Sequence, residues 1–312
     1  MDRLEAMSIV LAIAEAGSLS AAARRQKAPL ATVSRKVSEL EAHLQTKLFN
    51  RSSRALVPTD AGRSYIAAAK RILADVTEAE RAASGEYTTP RGDLSISAPV
   101  SLGRTHLLPL MAEFLATFPD VDIQLSLQDR AVNLLEEQVD VALRIGALAD
   151  SGLIAVRVGE IRRVVCASPA YLKARGTPKS PDDLATHDCI TYAPALSPNS
   201  WTFKRDETEY VVPVRTRLIV SNLESARDAA RAGIGVTMAF SYNVAELIKS
   251  GELMPLLQDF QPPPRPVSFV YSPNRFMPVK LRAFLDFALP RLKARLGDLP
   301  KGLAPRGRGK TQ

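Results

Sequence analysis

The segment SLSAAARRQKAPLATVSRKVSELE, residues 18–41, restricts the fold more tightly than any other part of the chain. It reads as two short helices joined by a tight break, with basic and small polar residues gathered around that break. Ser18 or Ser20 suits the cap of the first helix, whose inward residues are Ala22 and Ala23. The chain breaks around Lys27 and Ala28, and Pro29 fits the first turn of the next helix, where a missing N–H costs nothing. In that helix Val33, Val37, Leu40 and Leu44 recur at i, i+4, i+7 and i+11, so one stripe is apolar while Ala31, Thr32, Ser34, Arg35 and Ser38 face outward. Upstream, Leu4, Met7, Leu11 and Ala14 recur at helical spacing and predict a preceding helix, ended by Gly17.

The outward face suits insertion in a DNA major groove. Short hydroxyls can bond base edges, Ala can touch a thymine methyl, and flanking Arg and Lys can neutralise phosphates. The same face also suits an ordinary solvated helix of a small bundle. The next stretch favours DNA: KLFNRSSRALVPTDAG gives two short apolar runs around a polar turn, a hairpin wing with Arg51 and Arg54 near its tip. Thr59 then caps a long helix beginning at Asp60, in which Ile66, Ala69, Leu73, Val76 and Ala79 or Glu80 trace a near-heptad seam. About 25 residues make a rod of roughly 37 Å. Self-pairing along the seam sets two helix-turn-helix units side by side, as a palindromic site requires.

Past GEYTTPRG, a hinge by composition, the period changes. GDLSISAPV reads as a strand, LLPLMAEFLATFP as a helix, VDIQLSL as a strand, VNLLEEQV as a helix and DVALRIG as a strand, the pattern of βαβ units with a mainly parallel sheet. A second α/β lobe starts near IRRVVCASPAYL, and RPVSFVYSP with VKLRAFLDFALPRL returns to the first. Two lobes joined by crossing strands make a cleft that can close on a ligand.

Length and composition agree with several domains: 312 residues with 46% hydrophobic residues can fill two or three cores. No run of about 18 apolar residues appears, and acids interrupt the apolar pattern of the N-terminus, so the expected location is the cytoplasm, without membrane contact. Cys166 and Cys189 have no CxxC or Cys/His spacing and read as incidental thiols of a reducing compartment. The net charge of +8 is unevenly spread: residues 1–58 hold nine Lys/Arg against five Asp/Glu, and residues 291–312 hold seven against one, leaving a slightly acidic middle. The basic start fits phosphate contact, and the basic end KGLAPRGRGKTQ reads as a solvated, disordered tail.

The order AEAGSLSAAARR, then VSRKVSELEAHLQTKLFNRSSRALVPTDAG, then the long helix resembles the winged helix-turn-helix of LysR-type transcriptional regulators. RGDLSISAPVSLGRTHLLPLMAEFLATFPDVDIQL, LEEQVDVALRIG, SNLESARDAARAGIGV and VKLRAFLDFALPRL resemble the effector-binding half of the same family. The likeness covers nearly the whole chain to about Gly297. It implies an α/β protein with an N-terminal winged helix-turn-helix over 1–59, a linker and dimerisation helix with hinge over 60–90, and a two-lobed effector domain over 91–297, similar to type II periplasmic binding proteins. Lobe I takes about 91–162 and 267–297, lobe II about 163–266, and 298–312 is the tail. The chain departs from family habit at Gln26 and Lys27, where an apolar residue and Gly are usual, and at Pro29, Leu30 and Ala31.

The candidate DNA-contacting residues are Ser20, Arg24, Leu30, Ala31, Thr32, Ser34, Arg35, Ser38, Arg51 and Arg54, with Ser34 and Arg35 at the family's base-contacting and phosphate-contacting positions. The resemblance implies an effector cleft in which Ser101, at the end of the first strand, offers an anion-contacting hydroxyl. Gln128, Arg144, Trp201, Asn222 and Phe240 match its pocket-lining places, Phe240 standing where Pro is common. Expected partners are double-stranded promoter DNA, an organic acid or aromatic effector, a second copy or a tetramer of the chain, and RNA polymerase, with no cofactor or metal. Enzyme readings lack chemistry: His43, His106 and His187 have no matched nucleophile or acid, and RAGIGV is too short and wrongly placed for a dinucleotide fingerprint. Two alternatives stay open. A solute-binding transport module needs an export signal, which the first 20 residues lack, and a nonspecific architectural DNA binder would use the tail as its main contact.

Overall fold

The structure is a computed structural model, and it describes residues 2–51, 56–84, 89–148, 152–192, 199–205, 208–273 and 277–297. The chain divides into two compact units, Met1–Thr89 and Pro90–Gln312.

In the first unit, α1 (Arg3–Ala16) starts where Asp2 accepts from the Leu4 and Glu5 N–H groups and stops at Gly17, whose left-handed conformation lets its N–H return to Ile13 O. Its buried face is Ala6, Ile9, Val10, Ala12 and Ile13, while Leu4 is 41% exposed. The spacing from Leu4 to Ala14 was thus the wrong stripe, because Ala6 and Ala12, small enough for neighbouring helices to approach, form the contact instead. Ser18 caps α2 (Leu19–Arg25) by accepting from Ala21 N–H. Lys27 adopts a left-handed conformation, φ 50°, and Ala28 N–H bonds back to Ala23 O at 3.0 Å. Pro29 precedes α3 (Leu30–Leu44) as its cap residue, one position before the first-turn place expected for it, and offers no side-chain cap. Strands β1 (Phe49–Arg51) and β2 (Leu56–Pro58) pair antiparallel.

Helix α4 (Asp60–Ser84) begins where Thr59 Oγ1 accepts from Gly62 N–H at 2.9 Å. A Cβ on Gly62 would lie 1.9 Å from Leu48 O, so only glycine allows the helix to abut the chain entering β1. Tyr65 and Ile66 pack on the helical core, and Ala69 is fully buried. The early part of the expected seam therefore serves the core of its own chain, and Ile72, Leu73 and Val76 follow it with Ile72 40% exposed.

The second unit holds two five-stranded sheets. The first runs β4 (Val121–Leu127), β3 (Gly92–Ala98), β5 (Val141–Ile145), β14 (Arg265–Tyr271) and β6 (Ile154–Ile161). The second runs β11 (Thr216–Val220), β8 (Cys189–Tyr192), β12 (Val236–Phe240), β7 (Arg163–Ala167) and β13 (Met254–Leu256). In each sheet four strands share a direction and one, β14 or β7, opposes them. Residues 132–139 form turns and no helix, contrary to the reading of VNLLEEQV. Asn133 Oδ1 takes the Leu135 N–H at 3.1 Å and Glu137 folds back to the Asn133 N–H, so side-chain bonds frame a single turn, closed by the Glu137 N–H to Asn133 O at 3.0 Å, that does not continue as a helix.

A short helix α5 (Val100–Leu102), a π-helical turn over Gly103–Leu107 and α6 (Leu108–Thr117) cover the first sheet together with α10 (Val279–Gly297). Leu94, Ile96, Leu110, Phe114, Phe269 and Phe284 form the centre of that core, with Phe114 and Phe284 edge to face at 5.6 Å. The second sheet is covered on one side by α8 (Leu223–Arg231) and α9 (Ser241–Lys249), and on the other by α7 (Pro169–Arg175) and the hairpin β9 (Ser200–Arg205) and β10 (Thr208–Pro213).

Candidate functional site

Val33, Val37 and Leu40 are buried and pin α3 to α1 and α2, so the opposite face is presented outward. On it Ala31, Arg35 and Ser38 are exposed and Thr32 and Ser34 half-buried, while Leu30 opens the helix 47% exposed. Ser20 and Arg24 are exposed on α2. Among the described residues Arg35 pairs with Glu39 on its own helix, at 3.4 Å and in solvent, a pairing worth little that a phosphate can displace. Arg51 ends β1 with its side chain outside the described residues, and Arg54 lies outside them entirely.

Two residues of the head escape sequence reasoning. Glu41 is buried, accepts from the Leu48 N–H at 2.9 Å and the Phe49 N–H at 3.3 Å, and receives Lys47 Nζ at 2.7 Å. Burial pushes its carboxyl up, but the bonds from Lys47, Leu48 and Phe49 outweigh it and hold the group below its ordinary value. Its signal was an acid four residues after Val37, inside the apolar row. Lys36, largely buried, pairs with Glu5 of α1 and so fixes α3 against that helix.

In the second unit two cavities adjoin, sharing Tyr192, Leu223, Phe240 and Arg265; the larger lies between the sheets, and the smaller is lined by the second sheet and the β9–β10 hairpin, with Arg265 contributed from β14 of the first. The smaller, ≈ 390 Å³, has Trp201, Ile190, Met238 and Phe240 as apolar wall with Arg163 and Arg265 as its cations. The larger, ≈ 530 Å³, is lined by Gln128, Asp129, Arg130, Arg144 and Leu134 among others. Gln128, Arg144, Trp201 and Phe240 therefore stand on cavity walls. Ser101 and Asn222 do not: Ser101 is buried with its Oγ bonded to Asn243, and Asn222 Oδ1 is spent on the Ser225 N–H at the start of α8. Asn222 is a helix cap, and the hydroxyl of Ser101 is a structural acceptor.

Charge in the cleft is mostly positive. Arg130 and Glu137 neutralise each other through paired bonds, the closer at 2.5 Å. Among the described residues Arg144 bonds Val132 O at 3.4 Å, and burial pulls its guanidinium down from its ordinary value. Arg163 and Arg265, absent from the sequence candidates, open β7 and β14, the strands that follow the two crossings between sheets. An arginine at the head of IRRVV and another in PPPRPV were the available signals. Among the described residues no group of three His, Cys, Asp or Glu could hold a metal, and no single helix is long and apolar enough to cross a membrane. Cys166 and Cys189 are free and buried, their thiols pushed up to about 12 by burial.

Residues 4–63 match the model of the bacterial regulatory helix-turn-helix proteins of the lysR family, and residues 88–293 match the LysR substrate binding domain. A transcriptional repressor of Pseudomonas aeruginosa is 32% identical over 92% of its own length and 93% of this chain. The transcriptional activator AaeR of Escherichia coli is 32% identical over its whole length and 99% of this chain. The structure of CrgA, a LysR-type transcriptional regulator from Neisseria meningitidis, superposes with a TM-score of 0.60 at 32% identity, covering 94% of this chain and 99% of that one.

Proposed function

The chain belongs to the LysR-type family of transcriptional regulators, and on that footing we propose that it binds promoter DNA through the outward face of α3 and answers to a small molecule held between its two sheets. Residues 1–59 act as the reading head, 60–90 as linker and pairing helix, and 91–297 as the effector domain. Thr32 and Ser34 face the bases, Arg35 and Arg24 the phosphates, and the wing arginines Arg51 and Arg54 the backbone beside them. The working form is a dimer or tetramer in the cytoplasm, the effector an organic acid or an aromatic compound, and RNA polymerase a further contact. The protein regulates and does not catalyse.

The observation that carries this reading is the α3 face itself: small, polar and basic, and held outward by three buried residues on the other side. A footprinting titration at moderate salt tests it. A protected promoter site is expected, and its absence defeats the reading. Arg35→Ala weakens binding to every sequence and lowers the salt slope by about one, whereas Ser34→Ala changes sequence preference. Equal losses on specific and random DNA for both variants would refute that division of roles. Deleting residues 301–312 leaves most promoter affinity in place if the head carries it, and removes most of it if the tail does.

A further inference from the structure

The two cations of the smaller cavity are placed where a protein gains nothing from them alone. Arg163 is half-buried in the cavity wall, opposite Phe240 in the pairing of β7 with β12. Arg265 stands exposed at the rim and lines both cavities. Among the described residues neither has a carboxylate within ion-pair distance, although three arginines of the same unit converge on Asp188. Burial, then the charge of Arg265, pull the Arg163 guanidinium down to about 10, and Glu209 offsets this only in part. A cation kept from water beside a second cation is a cost to the empty protein, and one shared anion removes it.

Facing the pair are Trp201, Phe240, Tyr192, Met238 and Ile190. This wall accepts a flat apolar body, and ≈ 390 Å³ lies in the range of small-ligand sites. Resting on the effector-cleft reading above, we propose that the ligand is an aromatic carboxylate, its carboxylate bound by Arg163 from the wall and Arg265 from the rim, its ring against Trp201 and Phe240. Because the arginines open the strands that follow the two crossings between sheets, an anion bridging them ties ligand occupancy to the relative position of those sheets.

Calorimetric titration of the full-length protein with benzoate, phenylacetate, cinnamate and indole-3-acetate, and with the amide of each, tests this. At least one acid binds saturably, and its amide binds at least about tenfold more weakly. Arg163→Gln lowers affinity for that acid by about tenfold or more and Arg265→Gln, exposed at the rim, by about threefold; Arg157→Gln, on an exposed strand face, leaves it unchanged. Without ligand, Arg163→Gln raises the melting temperature by about 2 °C, since an unrelieved half-buried cation is gone. Amides that bind as well as acids, full affinity in both Gln variants, phenyl phosphate binding more tightly than the acids, no acid binding at all, or a lower melting temperature for ligand-free Arg163→Gln would each overturn the assignment. In the first three outcomes a ligand still binds and the cleft reading stands; that reading falls only if no small molecule changes promoter occupancy.

Discussion

Asn243 Nδ2 donates to Ser101 Oγ at 2.9 Å, joining residues 142 positions apart. Ser101 sits in α5, just after β3 of the first sheet, and Asn243 in α9, just after β12 of the second. Both are buried, and Arg104 and Glu224 make a second link between the same regions at 3.4 Å. The Ser101 hydroxyl thus ties the two lobes together.

Ser101→Ala removes this acceptor and strands a buried amide donor, so it lowers stability by about 1–2 kcal/mol. Because Ser101 lines neither cavity, effector affinity changes less than threefold. Chemical denaturation and calorimetric titration of the one variant read the two effects separately.

Lys27 carries the break between α2 and α3 in a left-handed conformation, φ 50°. A side chain there costs about 1–2 kcal/mol, part of which glycine loses again through its freedom in the unfolded chain. Lys27→Gly therefore stabilises the head by about 0.5–1 kcal/mol, whereas Lys27→Val, branched at Cβ, destabilises it by at least that much. Thermal melts of the two variants check the sign, and Lys27→Gly leaves promoter specificity as it was.

Acidification acts first through two histidines. His106 is pulled below its ordinary value by burial and then by Arg295, and His187 by burial, which the charge of Asp183 opposes. Tyr171 Oη accepts from the Asp188 N–H at 2.9 Å and stands within hydrogen-bond distance of His187 Nδ1, at 3.1 Å. A histidine with a lowered folded value contributes stability that is complete above its unfolded pKa of about 6.5 and is lost as pH falls through the folded one. Melting temperature thus drops as pH falls below about 6.5 toward the lowered folded values. The double variant His106→Gln, His187→Gln melts with a flatter profile across that window.

What could be read from the sequence was periodic or local. Val33, Val37 and Leu40 announce their helix by spacing alone and Thr59 its cap by position, while the cap of α2 is legible only as Ser18 or Ser20, and Ser18 takes it. Long-range polar partnerships carry no such period. Arg175 at the end of α7, Arg215 just before β11 and Arg217 on β11 reach Asp188 at 2.9, 3.1 and 2.8 Å, and no period in the sequence points to Asp188 as their shared partner. Arg163 and Arg265 share a cavity only because two chain crossings coincide. The stripe of α1 went astray because Ala6 and Ala12 look indifferent in sequence yet supply the close contact.

Glu41 gives the sharpest test of how the wing is held. Its carboxylate binds the Leu48 and Phe49 N–H groups and Lys47 Nζ, anchoring the chain as it enters β1. Glu41→Ala leaves two buried N–H groups without an acceptor and costs about 2–3 kcal/mol, whereas Glu41→Gln keeps a neutral acceptor and costs about half as much. Since the folded value is lowered, the contribution is present above the unfolded pKa of about 4.3 and is lost as pH falls through the folded one, and the Gln variant lacks that acid limb. Both variants weaken promoter binding in a gel-shift titration, Ala more than Gln, because the wing arginines lose their footing. Neither alters titration of the second unit with an effector. Unchanged promoter affinity in a destabilised Glu41→Ala protein would separate the wing from DNA contact.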